Sequence, residues 1–180
     1  MGVTTASLAI STFLCNYYSL SVAYIEFNPT KEIHLLNPDS DKKRFSYKGI
    51  EIFSSITLST IDEILIQDYA FFVLDFGLLN TYTVTEFKRC SLKLCICSLL
   101  PWKSQQLSGT LLLLEQEYKN YQREVMFLES TENNKENPKC VSSRCGIKVS
   151  PLPILSNPFQ ITSNEFMFFK SLLERKNISR

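Results

Sequence analysis

The segment that most restricts the fold of this chain is an uninterrupted apolar run at residues 69–74, YAFFVL, which is followed directly by Asp75, Phe76 and Gly77. A strand with one solvated face alternates apolar and polar side chains, whereas an uninterrupted run is typical of a parallel strand that is covered on both faces. Residues 92–99 contain a second run of this kind. Parallel strands need long crossover connections, usually helices, so both runs favour an α/β architecture.

The segments between these runs carry helix and strand patterns in alternation. Apolar residues recur every three or four positions over residues 4–17 and again after Pro101, which predicts an amphipathic helix in each place. Residues 30–47 are polar and mixed in charge and are predicted to form a loop or an irregular crossover. Further short strands are predicted at residues 22–25, 49–53 and 125–128. The predicted fold class is therefore α/β, with a mainly parallel β-sheet flanked by helices.

Two capping boxes and one polar segment complete the pattern. Ser59 with Asp62 predicts the start of a short helix, and Thr162 with Glu165 predicts the start of the last helix. Residues 129–146 are rich in Asn, Ser, Lys and Glu, so we expect a polar loop or insert there.

The composition indicates a single globular domain that spans residues 1–180. With 44% hydrophobic residues the chain can bury a core, which excludes an intrinsically disordered protein. Its formal net charge of +1 produces no long-range field that would attract phosphates, so direct nucleic-acid binding is not expected.

The uncharged N-terminal segment, residues 1–25, requires a test for a signal peptide or a membrane span. A signal peptide needs a basic n-region, which is missing, and hydroxyl and amide side chains interrupt the apolar continuity that a span needs. The C-terminal segment shows no basic amphipathic helix of the membrane-targeting kind. The six cysteines are interpreted as reduced thiols, because a chain of this length needs no disulfides to fold. We expect a cytoplasmic protein without evident membrane association.

Three short motifs follow one another in an informative order. Residues 2–5, GVTT, open the first predicted helix, residues 22–29, VAYIEFNP, end a strand, and residues 69–77 end another. Together they resemble the MinD/ParA group of P-loop ATPases, which implies a three-layer P-loop NTPase-like fold. In that family a glycine-rich loop ending Gly-Lys-Thr-Thr opens the first helix. The next strand ends in an acidic residue followed two positions later by Asp-Pro, and a later strand ends in the Walker B aspartate.

The resemblance assigns roles to individual residues of this chain. Gly2, Thr4 and Thr5 match the end of the loop and would bind the nucleotide. Thr4 would also ligate Mg²⁺, and Asp75, at the Walker B position, would hold the ion through water. Glu26 falls on the first acidic residue and would orient or activate the attacking water. The implied cofactors are ATP and Mg²⁺.

The chain departs from the family pattern at the loop. Val3 stands where the family has the lysine that neutralises the β- and γ-phosphates, so we expect ATP hydrolysis to be absent or very slow. Asn28 replaces an aspartate, although Pro29 follows as expected. The other glycines of the loop and the strand before them do not precede Gly2, so the first strand of the fold is expected to be lacking. Two explanations stay open: the chain begins inside a longer reading frame, or it is a degenerate relative.

Two functions of different classes follow from this pattern. The first is a nucleotide-linked switch or scaffold for a partner protein, since members of this bacterial family position division, plasmid-partition and pilus-secretion assemblies and often form homodimers across the nucleotide. The alternative is a pseudo-ATPase interaction module that binds neither ATP nor Mg²⁺. The candidate residues also have structural interpretations: a threonine at position 4 or 5 as a helix N-cap, Asp75 as a cap of the next segment, and Glu26 as a solvated residue at a strand end.

Overall fold

A computed structural model describes residues 2–28, 32–37, 39, 42–130 and 146–174. The chain divides into two compact units. The first unit consists of Val3–Leu78 together with Leu155–Arg180, and the second unit consists of Leu79–Ile154 together with Met1–Gly2. The expectation of one domain over residues 1–180 stays a prediction.

Helices and strands alternate along the chain. The helices are α1 (Val3–Tyr18), α2 (Ile61–Leu65), α3 (Val84–Arg89), α4 (Ser104–Glu117), α5 (Tyr121–Glu124) and α6 (Ser163–Glu174), with short 3₁₀ helices at Glu32–Leu36 and Pro101–Lys103. The strands are β1 (Val22–Glu26), β2 (Arg44–Tyr47), β3 (Ile50–Phe53), β4 (Phe71–Asp75), β5 (Lys93–Cys97), β6 (Val125–Ser130) and β7 (Val149–Leu152). The predicted α/β class is confirmed.

The first unit contains a four-stranded sheet with the order β2-β3-β1-β4. β1 pairs in parallel with β3 on one side and with β4 on the other, and only the β2–β3 pair is antiparallel. The register of β1 and β4 ends with Glu26 opposite Asp75. The carboxyl ends of β1 and β4 therefore lie next to each other at the same end of the sheet.

Helices cover both faces of this sheet, which gives three layers. On one face, Leu8 of α1 packs with Tyr24 of β1 and with Ile50 and Ile52 of β3. The opposite face is covered by α2, and its buried residues are Ala23, Ile25, Phe53 and Ile64. Successive side chains of a strand point to opposite faces, so β1 contributes to both layers and is buried along its whole length.

Helix α1 buries more of its surface than an amphipathic stripe would. Ser7, Ser11 and Thr12 are buried along with the apolar residues. The Ser11 hydroxyl donates to the Ser7 carbonyl at 2.9 Å, and the Thr12 hydroxyl donates to the Leu8 carbonyl at 2.9 Å. Because these hydroxyls are satisfied within the helix, they can be buried without a large desolvation cost.

The second unit contains a three-stranded parallel sheet with the order β5-β6-β7. Leu107, Leu111 and Leu114 of α4 are buried, as the helical spacing predicts. β6 runs to Ser130, so the first residues of the predicted insert at 129–146 belong to a strand. Residues 131–145 of that insert lie outside the described residues.

Two local predictions are wrong. Residues 30–47, predicted as a loop, contain the 3₁₀ helix and β2, in which Phe45 and Tyr47 pack on the core while Arg44 and Ser46 face outwards. The Ser59–Asp62 capping box does not form, because the residue before α2 is Thr60 and the Ser59 hydroxyl is hydrogen-bonded to the Thr57 hydroxyl.

The capping pattern before α6 behaves as predicted. The backbone N–H of Thr162 donates to Glu165 Oε2 at 2.6 Å, which is the half of a capping box in which the third helical residue reaches back. Glu165 is buried by this contact.

Candidate functional site

Two carboxylates lie side by side where β1 and β4 end. Glu26 and Asp75 are paired in the strand register, and their exposed fractions are 1% and 0%. Residues that face each other across a parallel pair project to the same side of the sheet, here the side that α1 covers. The interpretation of Glu26 as a solvated residue is therefore wrong.

Both carboxylate oxygens of Asp75 accept hydrogen bonds from the protein. The Tyr24 hydroxyl donates to Oδ2 at 2.8 Å, and the backbone N–H of Gly77 donates to Oδ1 at 2.8 Å. Gly77 has a φ of +57°, and a Cβ built there would lie 2.8 Å from the Asn28 side chain. Glycine adopts this φ without strain and leaves room for the Asn28 side chain. Gly77 can therefore place its N–H against Asp75 Oδ1 and orient the carboxylate.

Tyr24 adjoins these two carboxylates, although nothing in its sequence pattern predicts this position. It is fully buried, its hydroxyl donates to Asp75, and the Thr4 hydroxyl lies next to it. Burial and the neighbouring charge of Asp75 raise the pKa of Tyr24 above its usual value of 10.0. The phenol therefore keeps its proton and acts as a donor to Asp75.

Thr4 connects the start of α1 to the ends of the two strands. Asn28 Nδ2 donates to Thr4 Oγ1 at 3.4 Å, and the Thr4 hydroxyl in turn contacts Tyr24. These four side chains therefore form one polar cluster where α1 begins and where β1 and β4 end. We call Asn28, Thr4, Tyr24 and Asp75 the polar relay.

The other predicted nucleotide ligands are less constrained. Thr5 is half-buried in the first turn of α1. Gly2 is exposed, belongs to the second unit, and has no described atom within 4 Å of the position that a Cβ would take. Pro29, which completes the sequence motif, lies outside the described residues.

Glu26 accepts hydrogen bonds from one backbone amide in the 3₁₀ helix Glu32–Leu36 and one just after β3. Its Oε1 accepts from the N–H of Ile33, and its Oε2 accepts from the N–H of Ser55, both at 3.4 Å. Burial raises the pKa of Glu26, while the two N–H groups and nearby His34 lower it. A buried carboxyl with a raised pKa has the property that a general base needs, but structural carboxyls share it.

The residue types at this site fit a nucleotide and its magnesium ion only in part. A threonine hydroxyl and an aspartate are oxygen donors of the kind that Mg²⁺ prefers. Among the described residues, however, no three His, Cys, Asp or Glu side chains come together as a metal site. Val3, the first residue of α1, carries no charge that could neutralise a phosphate.

Comparison with solved structures identifies the fold. A ParA family ATPase from Chlorobium tepidum TLS superposes with a TM-score of 0.68 at 11% identity, covering 98% of this chain and 88% of that chain. A cobyrinic acid a,c-diamide synthase from Mycobacterium smegmatis gives a TM-score of 0.61 at 13% identity, over 95% and 87% of the two chains. The chain has the MinD/ParA-like P-loop fold.

A third structure has the same ParA-like fold and contains a nucleotide analogue. It is a putative plasmid partition protein from Borrelia burgdorferi B31 bound to AMPPNP, with a TM-score of 0.60, 13% identity and coverage of 95% of this chain and 90% of that chain. No protein-family model matches the sequence, and a search of curated proteins finds no match. Within the described ranges, every helix is too short or too polar to span a membrane.

Proposed function

We propose that this chain is a nucleotide-linked switch or scaffold of the MinD/ParA type, with ATP hydrolysis absent or very slow. The observation that carries the proposal is the contact between Thr4, at the start of α1, and Asp75, at the end of β4, through the polar relay. The resemblance requires these two residues to lie close together, although they are 71 positions apart in a sequence with no detectable family match.

The start of α1 supplies the proposed phosphate site. The first amides of a helix have no partner within the helix, and the helix dipole adds partial positive charge, so this end attracts anions. α1 has no acidic residue in its first turn that would repel a phosphate. Gly2, Thr4 and Thr5 are the proposed nucleotide-binding residues, and Thr4 and Asp75 are the residues to which the resemblance assigns Mg²⁺.

The expected loss of hydrolysis follows from the charges at the site. Phosphoryl transfer depends on cations that stabilise the negative charge of the transition state. Val3 cannot supply this stabilisation, so Glu26 would have a water to orient but little assistance in breaking the bond. A site of this kind can hold a nucleotide as a structural signal for a partner protein or a second copy of the chain.

One observation favours the alternative, a pseudo-ATPase module that binds no nucleotide. The polar relay satisfies the groups that a nucleotide and its metal would use, since both oxygens of Asp75 accept protein hydrogen bonds. In that case the relay only stabilises the junction of α1 with the sheet, and the surfaces of the protein carry its function.

Calorimetric titration with ATP and with AMPPNP, in EDTA and in MgCl₂, distinguishes these functions. We expect saturable binding of the nucleotide without measurable release of inorganic phosphate. Val3→Lys should tighten binding by about tenfold or more, because it adds a charge-assisted contact to phosphate. Leu112→Lys, on an exposed position of α4, is the matched control and should leave binding unchanged. An absence of nucleotide binding by both the natural chain and Val3→Lys would refute the switch and leave the pseudo-ATPase.

A further inference from the structure

The space between Thr4 and Asp75 is filled by a side chain of the same chain. The Tyr24 hydroxyl donates to Asp75 Oδ2 at 2.8 Å, and the Thr4 hydroxyl lies next to it. We propose that the Tyr24 hydroxyl stands where a divalent cation or its water would sit, and that it excludes Mg²⁺ from the Thr4–Asp75 pair. The identity of the excluded ion rests on the proposed function, but the exclusion itself concerns only these three side chains.

The ring of Tyr24 is held in this position by its surroundings. Tyr24 lies two residues before Glu26 on β1 and therefore projects to the same face of the sheet. Its ring packs in a buried cluster with Leu8, Ile33 and Ile50, and its exposed fraction is 0%. A ring enclosed in this way has no alternative rotamer without disturbing the core, so the hydroxyl is a fixed part of the site.

The coordination chemistry of Mg²⁺ conflicts with this arrangement. The ion requires near-octahedral geometry at short distances and keeps several of its own waters. Asp75 is fully buried, one of its oxygens accepts from Tyr24, and the other accepts from the N–H of Gly77. A cation would have to displace the phenol oxygen and bring its waters into a closed cluster.

The phenol is also a poor substitute ligand. The Tyr24 hydroxyl donates its hydrogen to Asp75 Oδ2, so that hydrogen points at the carboxylate that a cation would need. A protonated phenol neutralises no charge on a phosphate. Together with the uncharged Val3, the exclusion of Mg²⁺ makes any nucleotide binding independent of magnesium and accounts for the expected lack of hydrolysis.

The exclusion is tested with Mn²⁺ alone, which is a paramagnetic replacement for Mg²⁺ and needs no nucleotide. Binding is followed by electron paramagnetic resonance on the natural chain, Tyr24→Phe and Tyr24→Leu. Phe removes only the oxygen, whereas Leu also leaves room for metal-bound water. We expect Mn²⁺ affinity to rise by roughly tenfold or more in at least one of the two variants, and the gain to disappear when Asp75→Asn is added.

Tyr121→Phe is the matched control, because it also removes a buried hydroxyl that donates to a carboxylate, that of Glu115 in the second unit. It should leave Mn²⁺ affinity unchanged. Circular dichroism and thermal unfolding verify that each variant is folded. The proposal would be overturned if the natural chain binds Mn²⁺ and Asp75→Asn abolishes that binding. It would also be overturned if both Tyr24 variants fold but bind no more Mn²⁺ than the natural chain.

The failure of this proposal differs from the failure of the proposed function. Nucleotide binding that is equally tight in EDTA and in MgCl₂ supports both the nucleotide-linked switch and the exclusion of Mg²⁺. Magnesium-dependent binding supports the switch but overturns the exclusion. Without any nucleotide binding the switch is lost, whereas the Mn²⁺ experiment still decides whether Tyr24 closes the site.

Discussion

The two ends of α1 are attached to the first unit by different forces. At its N-terminal end, Thr4 takes part in the polar relay, which is held by hydrogen bonds between specific donors and acceptors. Towards its C-terminal end, Phe13 packs against Phe166 and Phe169 of α6 at ring-centroid distances of 5.4 and 5.6 Å. Aromatic contacts depend mainly on buried area and tolerate adjustment, while the relay depends on donors and acceptors at fixed positions.

This difference separates stability from function within one helix. The aromatic end is large and apolar, so it should dominate the free energy of unfolding. The polar end contributes less to stability, because a hydrogen bond in the folded state replaces one to water. Specific chemistry is expected only at the polar end, where charge, hydroxyls and strand ends come together.

The largest expected effect is at the aromatic end. Phe13→Ala removes a fully buried ring and leaves a cavity, so the free energy of unfolding should fall by about 3–5 kcal/mol. Met167→Ala, at an exposed position of α6, should change it by less than about 0.5 kcal/mol. Urea denaturation measures both. A loss at Phe13 as small as that at Met167 would show that the aromatic contacts do not hold α1.

At the polar end, Asp75→Ala should have the next largest effect. The change leaves the Tyr24 hydroxyl and the Gly77 N–H without their acceptor, which costs about 1–3 kcal/mol per buried group. Asp68→Ala, at an exposed position just before β4, is the control and should be nearly neutral. Equal stability of the two variants in urea would mean that the relay makes no net contribution.

A substitution at Gly77, with Gly109 as its control, tests the close approach of Gly77 to Asn28. Gly77→Ala places a Cβ in the left-handed region and against Asn28, so we expect a loss of about 1–2 kcal/mol. Gly109→Ala, inside α4, places its Cβ more than 4 Å from every described atom outside the local helix backbone and should instead stabilise the protein by up to about 1 kcal/mol. Thermal unfolding should therefore shift in opposite directions. A shift of the same sign would contradict the close approach of Gly77 to Asn28.

The smallest effect concerns the pH dependence of Glu26. Burial raises its pKa above 4.5 in the folded state, so the folded protein binds the proton more tightly than the unfolded chain. The free energy of unfolding is therefore largest below the pKa that Glu26 has in the unfolded chain. It declines as the pH rises through the pKa that Glu26 has in the folded protein. Glu26→Gln should lose this decline when urea denaturation is compared between about pH 4 and pH 8. A variant with the same pH profile as the natural chain would place the pKa of Glu26 at its ordinary value.

The sequence predicts the aromatic end better than the polar end. The spacing of Ala6, Ala9, Phe13 and Leu14 predicts both the helix and its buried side, because apolar periodicity is a local property.

Prediction of the polar end depends on the order of motifs in a known family as well as on local sequence rules. Thr4 and Asp75 were identified as a pair from the order of the motifs, and the structure brings them together through Tyr24. Tyr24 itself was missed, because in a run of strand residues a tyrosine counts as one more apolar side chain. Only the three-dimensional register places its hydroxyl against a carboxylate 51 positions away.

The remaining errors have similar physical causes. β2 was missed because its outward-facing residues, Arg44 and Ser46, made the segment resemble a loop. The strands also fall into two separately hydrogen-bonded sheets, and such long-range pairing is not encoded in any local pattern.

The central claim is that Tyr24 and Asp75 form one closed unit at the polar end of α1. A double-mutant cycle with Tyr24→Phe and Asp75→Ala in urea denaturation tests it most directly. We expect each single variant to be destabilised and the coupling free energy of the two substitutions to be about 1–3 kcal/mol. Tyr24→Phe should therefore lower the free energy of unfolding only slightly when Asp75 is already replaced. Additive effects, with coupling below about 0.3 kcal/mol, would contradict the claim that the Tyr24 hydroxyl and the Asp75 carboxylate act together.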